Sequence, residues 1–520
     1  MNRYWRKPMA NFFKATMILL AVTILGRLIG FLRNVFITNE FGLGMETDAY
    51  FMAFTIPLTL FLVIPGAINA VLIPIFKGMM GDEYRQRRNE LFQKVLTAVF
   101  ILFSVLTLGG MIWAAEIVSV LAKEFDPEKQ QLTAELLQVM MPSILFIGLV
   151  SVFSSVLNAH NEFFAPSLGT VISGVLVIFS LYTLAPLIGM AGVAWGTTIG
   201  FILFAIYLIL PLKKKGYSLG WNIQFGHDEQ MRIMRDRFLP IMAGMVISQL
   251  YVFIERFLVS GLGDKKLSSL VLANSIVQLP IAVFSGALVV PLFPLLAEYV
   301  KKKQIFEMKQ IMGKGILYQY HVLLPTTLGL VLLSQEIVRF FYAHKETFSD
   351  QDVALTAWAM IFYGIGILGW MGRDMLTRVF YSLENTKIPV IAGGISVILY
   401  IGIAVMLIPI LDHGGIALAF SIASFINLFI QAVLLRKKIG QLFTAAFYQS
   451  LGKGALAAAV MSMIIVWLRE PTKDLGIFHV PVIVLVAMLV YGGILYLMKD
   501  EAVRELAEKL FSRFRNRLIR

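Results

Sequence analysis

The sequence predicts an all-α polytopic membrane protein of about 14 transmembrane helices, arranged as two six-helix lobes related by a parallel repeat plus two extra C-terminal helices. Three observations predict this class. The 520 residues are 58% hydrophobic and 15% charged, with a mean hydropathy of +0.78, which is too apolar for a water-soluble chain. Apolar runs of about 20 residues, the length that crosses a bilayer, recur from Ala15 to Met498. Landmark residues also recur at one constant offset.

Each apolar run is predicted to be a helix, because lipid offers no hydrogen-bond partner to an open backbone. The predicted spans begin near residues 14, 48, 93, 131, 163, 187, 238, 267, 313, 352, 388, 413, 451 and 479. They give an N-lobe at 1–211, a cytoplasmic linker at 212–237, a C-lobe at 238–438, two further helices at 449–498 and a basic tail at 499–520. In the tail, apolar residues alternate with Arg and Lys at helical spacing. This pattern fits an amphipathic helix on the membrane surface and an ordinary solvated tail equally well.

The internal repeat is indicated by five pairs of landmarks. In each pair the two residues lie 223 positions apart (389 − 166 for the first): Pro166 with Pro389, Gly192 with Gly415, Lys213 with Arg436, Pro57 with Pro280, and Arg33 with Arg256. Because each repeat holds six spans, an even number, both repeats would enter the membrane in the same direction. Two such lobes are expected to enclose a central cavity.

The net charge of +13 is explained by topology. Basic residues cluster at both ends and in alternate loops, the pattern typical of cytoplasmic segments, so we expect a multi-pass protein of the bacterial cell membrane with both termini in the cytoplasm. They do not alternate with stacking aromatics, which argues against nucleic acid as a partner. The basic clusters are Arg3 to Lys14, Lys77 to Lys94, Lys213 to Arg237, Lys301 to Lys314, Arg436 to Lys453 and Lys499 to Arg520.

Enzymatic chemistry is not indicated. The chain has no cysteine, and its six histidines show no metal-ligand spacing. It lacks the HExxH, P-loop and GxSxG motifs, and the one GxGxxG match, Gly364 to Gly369, lies inside an apolar span with no preceding strand. We therefore expect a transporter with no catalytic residue, metal or cofactor, driven by an ion gradient or the membrane potential.

The first span carries the strongest candidate binding residues, Arg27, Arg33 and Asn34, in the stretch GRLIGFLRN. Ionisable groups within spans are costly and usually serve a site. Arginine forks bind phosphate oxygens in pairs and stay charged when buried. Arg27 and Asn34, seven residues apart, share a helix face, and Arg33 lies about a third of a turn away. The alternative is that these arginines reach the interface or bond backbone carbonyls.

Three further candidates are Glu255, Arg256 and Asp48. Glu255 and Arg256 are neighbours in the seventh span, so their side chains should leave the helix about 100° apart and each should find a partner elsewhere. Asp48 begins the second span, where a helix cap or a partner of a helix dipole is a simpler role than a ligand.

Several stretches resemble the MurJ/MviN family of lipid II flippases, within the multidrug/oligosaccharidyl-lipid/polysaccharide exporter superfamily. They are GRLIGFLRNVFITNEFGLGMETDAYFMAF, SSVLNAHNEFFAPSLGTV, the Glu-Arg pair of the seventh span, RVFYSLENTKIP and HGGIALAFSIASFINL, in family order from Arg27 to Lys438. The resemblance implies alternating access by a fourteen-helix protein that moves lipid II, the undecaprenyl-pyrophosphate-linked peptidoglycan precursor, from the cytoplasmic to the outer leaflet.

The resemblance also implies that Arg27 and Arg33 line the cavity and that the last two helices form a groove for the lipid tail. The sequence departs from the family pattern at two cavity arginines, which appear here as Phe61 and Ser275. Acidic residues often seen near the latter align with Asn274 and Gln278. The cavity is therefore expected to carry less charge than is typical of the family.

Two other functions remain open at this stage. The neutral residues in the eighth span favour a flippase for another polyprenyl-linked glycan, and a non-transporting scaffold for cell-wall synthesis enzymes is a different class. Buried Arg27 and Arg256 argue against the scaffold, which needs no charge in its core. The expected partners are an anionic lipid-linked glycan and membrane lipids, with wall-synthesis enzymes as further candidates.

The alternation of basic loops predicts the sidedness of the protein. Cysteines introduced at Lys214 and Lys302 should react with a membrane-impermeant thiol reagent only after permeabilisation, whereas cysteines at Glu346 and Lys473 should react in intact cells. The native chain has no cysteine to interfere. Labelling at position 346 only after permeabilisation would contradict this topology.

Overall fold

The computed structural model describes residues 3–225, 228–284, 290–501 and 503–504. Within these ranges, side chains are described except at 3–20, 23, 247–248 and 290–291. The described chain is helical throughout its regular structure and divides into two compact units, Met1–Ser268 and Ser269–Arg520. The predicted all-α class is therefore confirmed.

The first unit is built around α2, which packs against α5, α6 and α10, while α7 packs against α1 and α9. Its described helices are α1 (Arg3–Phe41), α2 (Met45–Lys77), α3 (Arg85–Ile112), α4 (Ala114–Leu121), α5 (Pro127–Met140), α6 (Pro142–Ala159), α7 (Phe164–Thr183), α8 (Ala185–Ile188), α9 (Met190–Lys214) and α10 (Glu229–Ser260).

The second unit is built around α15, which packs against α13 and α17; α16 packs on α17, and α18 packs on α13 and α19. Its described helices are α11 (Lys266–Phe284, beginning just before the unit), α12 (Val290–Lys301), α13 (Ile305–Leu332), α14 (Ser334–Tyr342), α15 (Asp350–Ser382), α16 (Lys387–Leu411), α17 (His413–Ile439), α18 (Ala445–Arg469) and α19 (His479–Leu497).

The number of spans agrees with the sequence prediction. Among the described residues, twelve helical segments are long and apolar enough to cross a membrane, and a thirteenth is α10 if its two bent parts count as one span. The 39-residue helix α1 corresponds to the first predicted span. The α5–α6 pair acts as one span, Pro127–Ala159, broken only where Pro142 begins α6.

The internal repeat is visible in the backbone. Helices α5, α7 and α9 begin at 127, 164 and 190, and α15, α16 and α17 begin at 350, 387 and 413, exactly as the 223-residue offset requires (350 − 127). The left-handed residues also correspond: Asn161 and Glu384 have φ of 59° and 56°, and Gly189 and Asp412 have φ of 61° and 55°. Turns as well as helices are therefore shared, and the predicted duplication is confirmed.

A close helix contact explains one pair of landmark glycines. A Cβ at Gly192 would lie 2.5 Å from backbone atoms of Leu184 and Ala185, and a Cβ at Gly415 would lie 2.6 Å from the carbonyl carbon of Leu407. Leu184 and Leu407 are themselves repeat partners. Both turns therefore need a glycine where the sixth span of each repeat passes the end of the fifth.

The predicted domain limits remain a prediction. The proposed tail, 499–520, lies outside the described residues except for 499–501 and 503–504.

Substitution at Gly415 tests the close contact. Gly415→Ala should destabilise the protein by about 1–3 kcal/mol, because the new methyl group would clash with backbone atoms of Leu407, which cannot rotate away as a side chain can. Gly402→Ala is the matched control, since a Cβ there has no neighbour within 4 Å. Thermal unfolding of the purified variants measures the difference; equal midpoints would show that the turn can relax.

Candidate functional site

Arg33 is half-buried on α1 and is held by α2. Its guanidinium carbon lies 4.4 Å from the centre of the Phe54 ring. Its Nε and Nη2 donate to Oδ1 of buried Asn34 at 3.3 and 3.0 Å. Both contacts are with groups that carry no formal charge, so they fix the position of the guanidinium without supplying a counter-charge.

Arg256 is buried on α10 and is also held by α2. Its Nε donates to Oγ1 of Thr55 at 3.0 Å, and its Nη1 donates to Oε1 of Glu255 at 3.1 Å. The expectation that Glu255 and Arg256 would not pair is wrong. Both side chains are long enough to bend back over the 100° between their Cα–Cβ bonds, and burial favours a partner for each charge.

The two arginines contact consecutive residues of α2. The guanidinium of Arg33 lies against Phe54 and that of Arg256 against Thr55, and these two side chains leave α2 about 100° apart. Among the described residues, the guanidiniums of Arg33 and Arg256 and the carboxylate of Glu255 together carry a net charge of +1. A cationic site of this kind favours an anion.

Arg27 differs from the other two arginines. It precedes Arg33 by six residues, a rise of about 9 Å along α1, and its side chain is exposed. Asn34 shares its face by helical angle but is buried against neighbouring helices. The structure thus places Arg33 with Asn34, and Arg256 with Glu255, beside α2, and leaves Arg27 at another depth.

The side chain of Asp48 is fully buried and belongs to a second cluster of charged residues, with Lys129 and Asp264. Its Oδ2 accepts from Nζ of Lys129 at 2.8 Å and from the backbone N–H of Lys265 at 2.9 Å; its Oδ1 accepts from the backbone N–H and the hydroxyl of Ser268 at 2.8 and 2.5 Å. Lys129 also pairs with Asp264 at 2.8 Å. The carboxylate therefore ties α2 to α5 and to the first turn of α11.

This arrangement refines the role expected of Asp48. It does not cap its own helix, because Gly44 occupies that position and its N–H donates to Thr47. It does act on a helix dipole, that of α11, whose first free N–H groups it accepts.

Sequence analysis missed Lys129, which is 2% exposed and is the main counter-charge of Asp48. One feature of the sequence could have indicated this role of Lys129. Lys129 is the third residue of α5, where a helix dipole disfavours a positive charge, so its presence there indicates a specific acceptor nearby.

The two positions where the sequence departs from the family arginines are neutral in the structure as well. Phe61 packs its ring 5.2 Å from that of Phe201. Ser275 donates its hydroxyl to the carbonyl of Val271, four residues earlier in α11, at 2.8 Å. Within the described part of the chain, no group of three or more His, Asp or Glu side chains is placed to hold a metal ion.

Two homologous six-helix repeats, with arginines held between helices of the first unit, define a multi-pass membrane transporter. The structure resembles that of an inward-facing multidrug resistance transporter of the MATE family in the MOP superfamily, with a TM-score of 0.67 and 15% identity over 82% of this chain and 98% of the other. The chain belongs to the family described as lipid II flippase MurJ, whose model matches residues 37–486.

Individual relatives agree with this assignment. A lipid II flippase MurJ from Burkholderia cenocepacia is 26% identical over 439 residues, covering 82% of this chain and 84% of the relative. A probable lipid II flippase MurJ from Buchnera aphidicola of Schizaphis graminum is 28% identical over 501 residues, covering 94% and 96%. The solved structure of a lipid II flippase MurJ in an inward closed conformation shares the fold, with a TM-score of 0.80 and 24% identity over 92% of this chain and 99% of the other.

A double-mutant cycle tests the second cluster. Lys129→Met should cost about 3 kcal/mol or more, because it leaves the Asp48 carboxylate buried without its counter-charge. Combining it with Asp48→Asn should cost at least about 1 kcal/mol less than the sum of the single changes.

The control for this cycle is Asp264→Asn, whose carboxylate is 55% exposed and should contribute less than about 1 kcal/mol. Denaturant titration of the protein in detergent gives the free energies of unfolding. Strict additivity would show that Asp48 and Lys129 do not interact.

Proposed function

We propose that the protein is a flippase that moves lipid II from the cytoplasmic to the outer leaflet of the bacterial cell membrane by alternating access. Membership of the lipid II flippase family over residues 37–486 carries this proposal. The arginine pair on α2 supplies a chemical reason, because the phosphate groups of such a substrate are its fixed negative charges.

The pyrophosphate link of the substrate suits the site in charge and geometry. Each phosphate carries about one negative charge and offers several oxygens to the parallel N–H groups of a guanidinium. In the described part of the chain, Arg33 contacts the uncharged groups of Phe54 and Asn34, so we assign it the larger share of the binding. Arg256 is already paired with Glu255, so we assign it the smaller role of orienting the substrate phosphate. It replaces in part the arginine that family members carry at the position of Ser275.

Arg27 is proposed as a further contact along the path of the substrate, because its exposed side chain lies about two turns away on the same helix. The Asp48 cluster is proposed as a latch of one conformational state. Its hydrogen bonds to residues 265 and 268 can form or break as one set, which is the behaviour of a two-state element.

The sidedness of the protein belongs to the same proposal. With both termini in the cytoplasm, the basic linker at 212–237 faces the compartment where lipid II is made. The energy source is proposed to be an ion gradient or the membrane potential.

A second cargo is kept open by one observation, the neutral residues Phe61 and Ser275 at positions where the family carries arginine. Fewer positive charges fit a substrate with fewer phosphates or a different glycan. The alternative is therefore a flippase for another polyprenyl-linked glycan.

Substitution of the paired arginines tests the site. Arg33→Ala should reduce lipid II translocation in proteoliposomes at least about tenfold, since a charge-assisted hydrogen bond contributes about 1.5–3 kcal/mol. Arg33→Lys should restore little, because an ammonium lacks the planar fork. Arg256→Ala should have a smaller effect.

Arg237→Ala on the exposed surface of α10 is the matched control and should transport normally. Full activity of the Arg33→Ala and Arg256→Ala double variant would show that these residues are structural. To separate the two cargoes, the gene is expressed in a cell depleted of its own lipid II flippase; export of another glycan without restored growth would favour the alternative.

A further inference from the structure

An apolar groove in the first unit has no part in the proposed transport. It encloses about 230 Å³ between α2, α3 and the first turns of α10. Its base includes Ile68 of α2, one wall includes Ala98 and Leu102 of α3, and the other includes Met231, Met234 and Arg235 of α10. Except for Arg235, these side chains offer no charge.

The second unit shows what fills the corresponding place there. The repeat offset relates Ala98 of α3 to His321 of α13 (321 − 98 = 223). The helix that follows each repeat packs on it, α10 on α3 and α18 on α13. His321 is 7% exposed and bonds Ser450 of α18 at 2.9 Å and Tyr491 of α19 at 3.2 Å. A large polar side chain therefore fills the crevice.

Residue size explains the difference between the two units. On α18, Gly454, Ala457 and Ala458 let the helix approach α13 closely; a Cβ at Gly454 would already lie 3.1 Å from the His321 ring. On α10, the wall of the groove is formed by Met231 and Met234. With Ala98 opposite them, a groove remains whose apolar walls suit an apolar chain and offer a water molecule no hydrogen-bond partner.

A guanidinium, that of Arg235, lines the mouth of the groove. Arg235 follows Met231 by one helical turn, so it continues the same face of α10. Residues 229–238 contain three arginines against two acidic residues, Glu229 and Asp236. Nearby, Lys94 donates to Asp228 at 2.8 Å. Partial burial opposes ionisation of Asp228, but the hydrogen bonds from Lys94 and from the N–H of Gln230 together lower its pKa, so that pair is neutral overall.

We propose that this groove holds one acyl chain of a membrane phospholipid whose phosphate lies at Arg235. The apolar walls take the chain. The guanidinium contacts Asp236 through Nε and Nη2, and its remaining N–H groups are donors for the phosphate. The methionines adapt to an irregular chain better than branched side chains do. This inference does not depend on which substrate the protein transports.

Photolabelling tests the site in the full-length protein. Proteoliposomes contain phosphatidylglycerol with a diazirine near the middle of one acyl chain, and labelled peptides are mapped by mass spectrometry. Residues 95–102 and 231–238 should be labelled at least about threefold more than the exposed face of α16 around Ile398, which is 71% exposed. Equal labelling would mean ordinary surrounding lipid and would overturn the proposal.

Filling the groove should remove the label. Ala98→Phe and the smaller Ala98→Ile should lower labelling of the groove at least fivefold and about twofold, respectively, while Ile398→Phe leaves it unchanged. Both groove variants should unfold at the wild-type temperature or above, because they fill space. Undiminished labelling in folded Ala98→Phe would contradict the assignment.

The head-group contact is tested separately. Arg235→Gln should reduce labelling severalfold, and Arg237→Gln, on the exposed side of the same helix, should not. Equal effects of the two changes would refute the role of Arg235. Loss of the label on adding equimolar undecaprenyl phosphate would assign the groove to a prenyl chain and overturn the phospholipid proposal.

Discussion

A charge inside a lipid-embedded protein must be satisfied by its neighbours, because neither lipid nor packed side chains solvate it. In the first unit, this constraint leads repeatedly to α2. Asp48 on α2 takes Lys129 and the N–H groups of residues 265 and 268, and Phe54 and Thr55 on α2 receive the guanidiniums of Arg33 and Arg256. The helix that organises the packing therefore also organises the charge.

The contacts of α2 separate two tasks along its length. Near its start, the Asp48 carboxylate is surrounded by donors, which is the arrangement that the proposed latch requires. Two turns later, Phe54 and Thr55 contact Arg33 and Arg256, the residues of the proposed anion site. A transporter needs both properties, since binding energy drives transport only if a conformational equilibrium responds to the ligand.

Duplication has copied the backbone of the repeats but not their chemistry. The helix starts and left-handed turns coincide at the 223-residue offset, yet Asn34 corresponds to Phe257, and Ala98 to His321. Backbone geometry follows from helix hydrogen bonds and from a few glycine contacts, which tolerate changes elsewhere. Side chains on the same scaffold can diverge, so the first unit has the arginine contacts on α2 and an open groove, while the second buries a histidine network.

The sequence by itself determined the helices, the repeat and the candidate arginines, and it determined the number of spans to within one. These depend on local hydropathy, on hydrogen bonds within each helix, and on the cost of charge in lipid, all of which can be evaluated along the chain. The turn residues were also within reach, since Gly192 and Gly415 already stood at the common offset.

Only the tertiary structure decided the partners of the charges. The pairing of Glu255 with Arg256 depends on side-chain rotamers that burial selects, and the role of Lys129 depends on the approach of α5 to α2 across 81 positions of sequence. The groove beside Ala98 is defined by the distance between helices, which the sizes of facing side chains set together. No periodicity along one helix encodes what the opposite helix presents, and for that reason these contacts could not be predicted from the sequence.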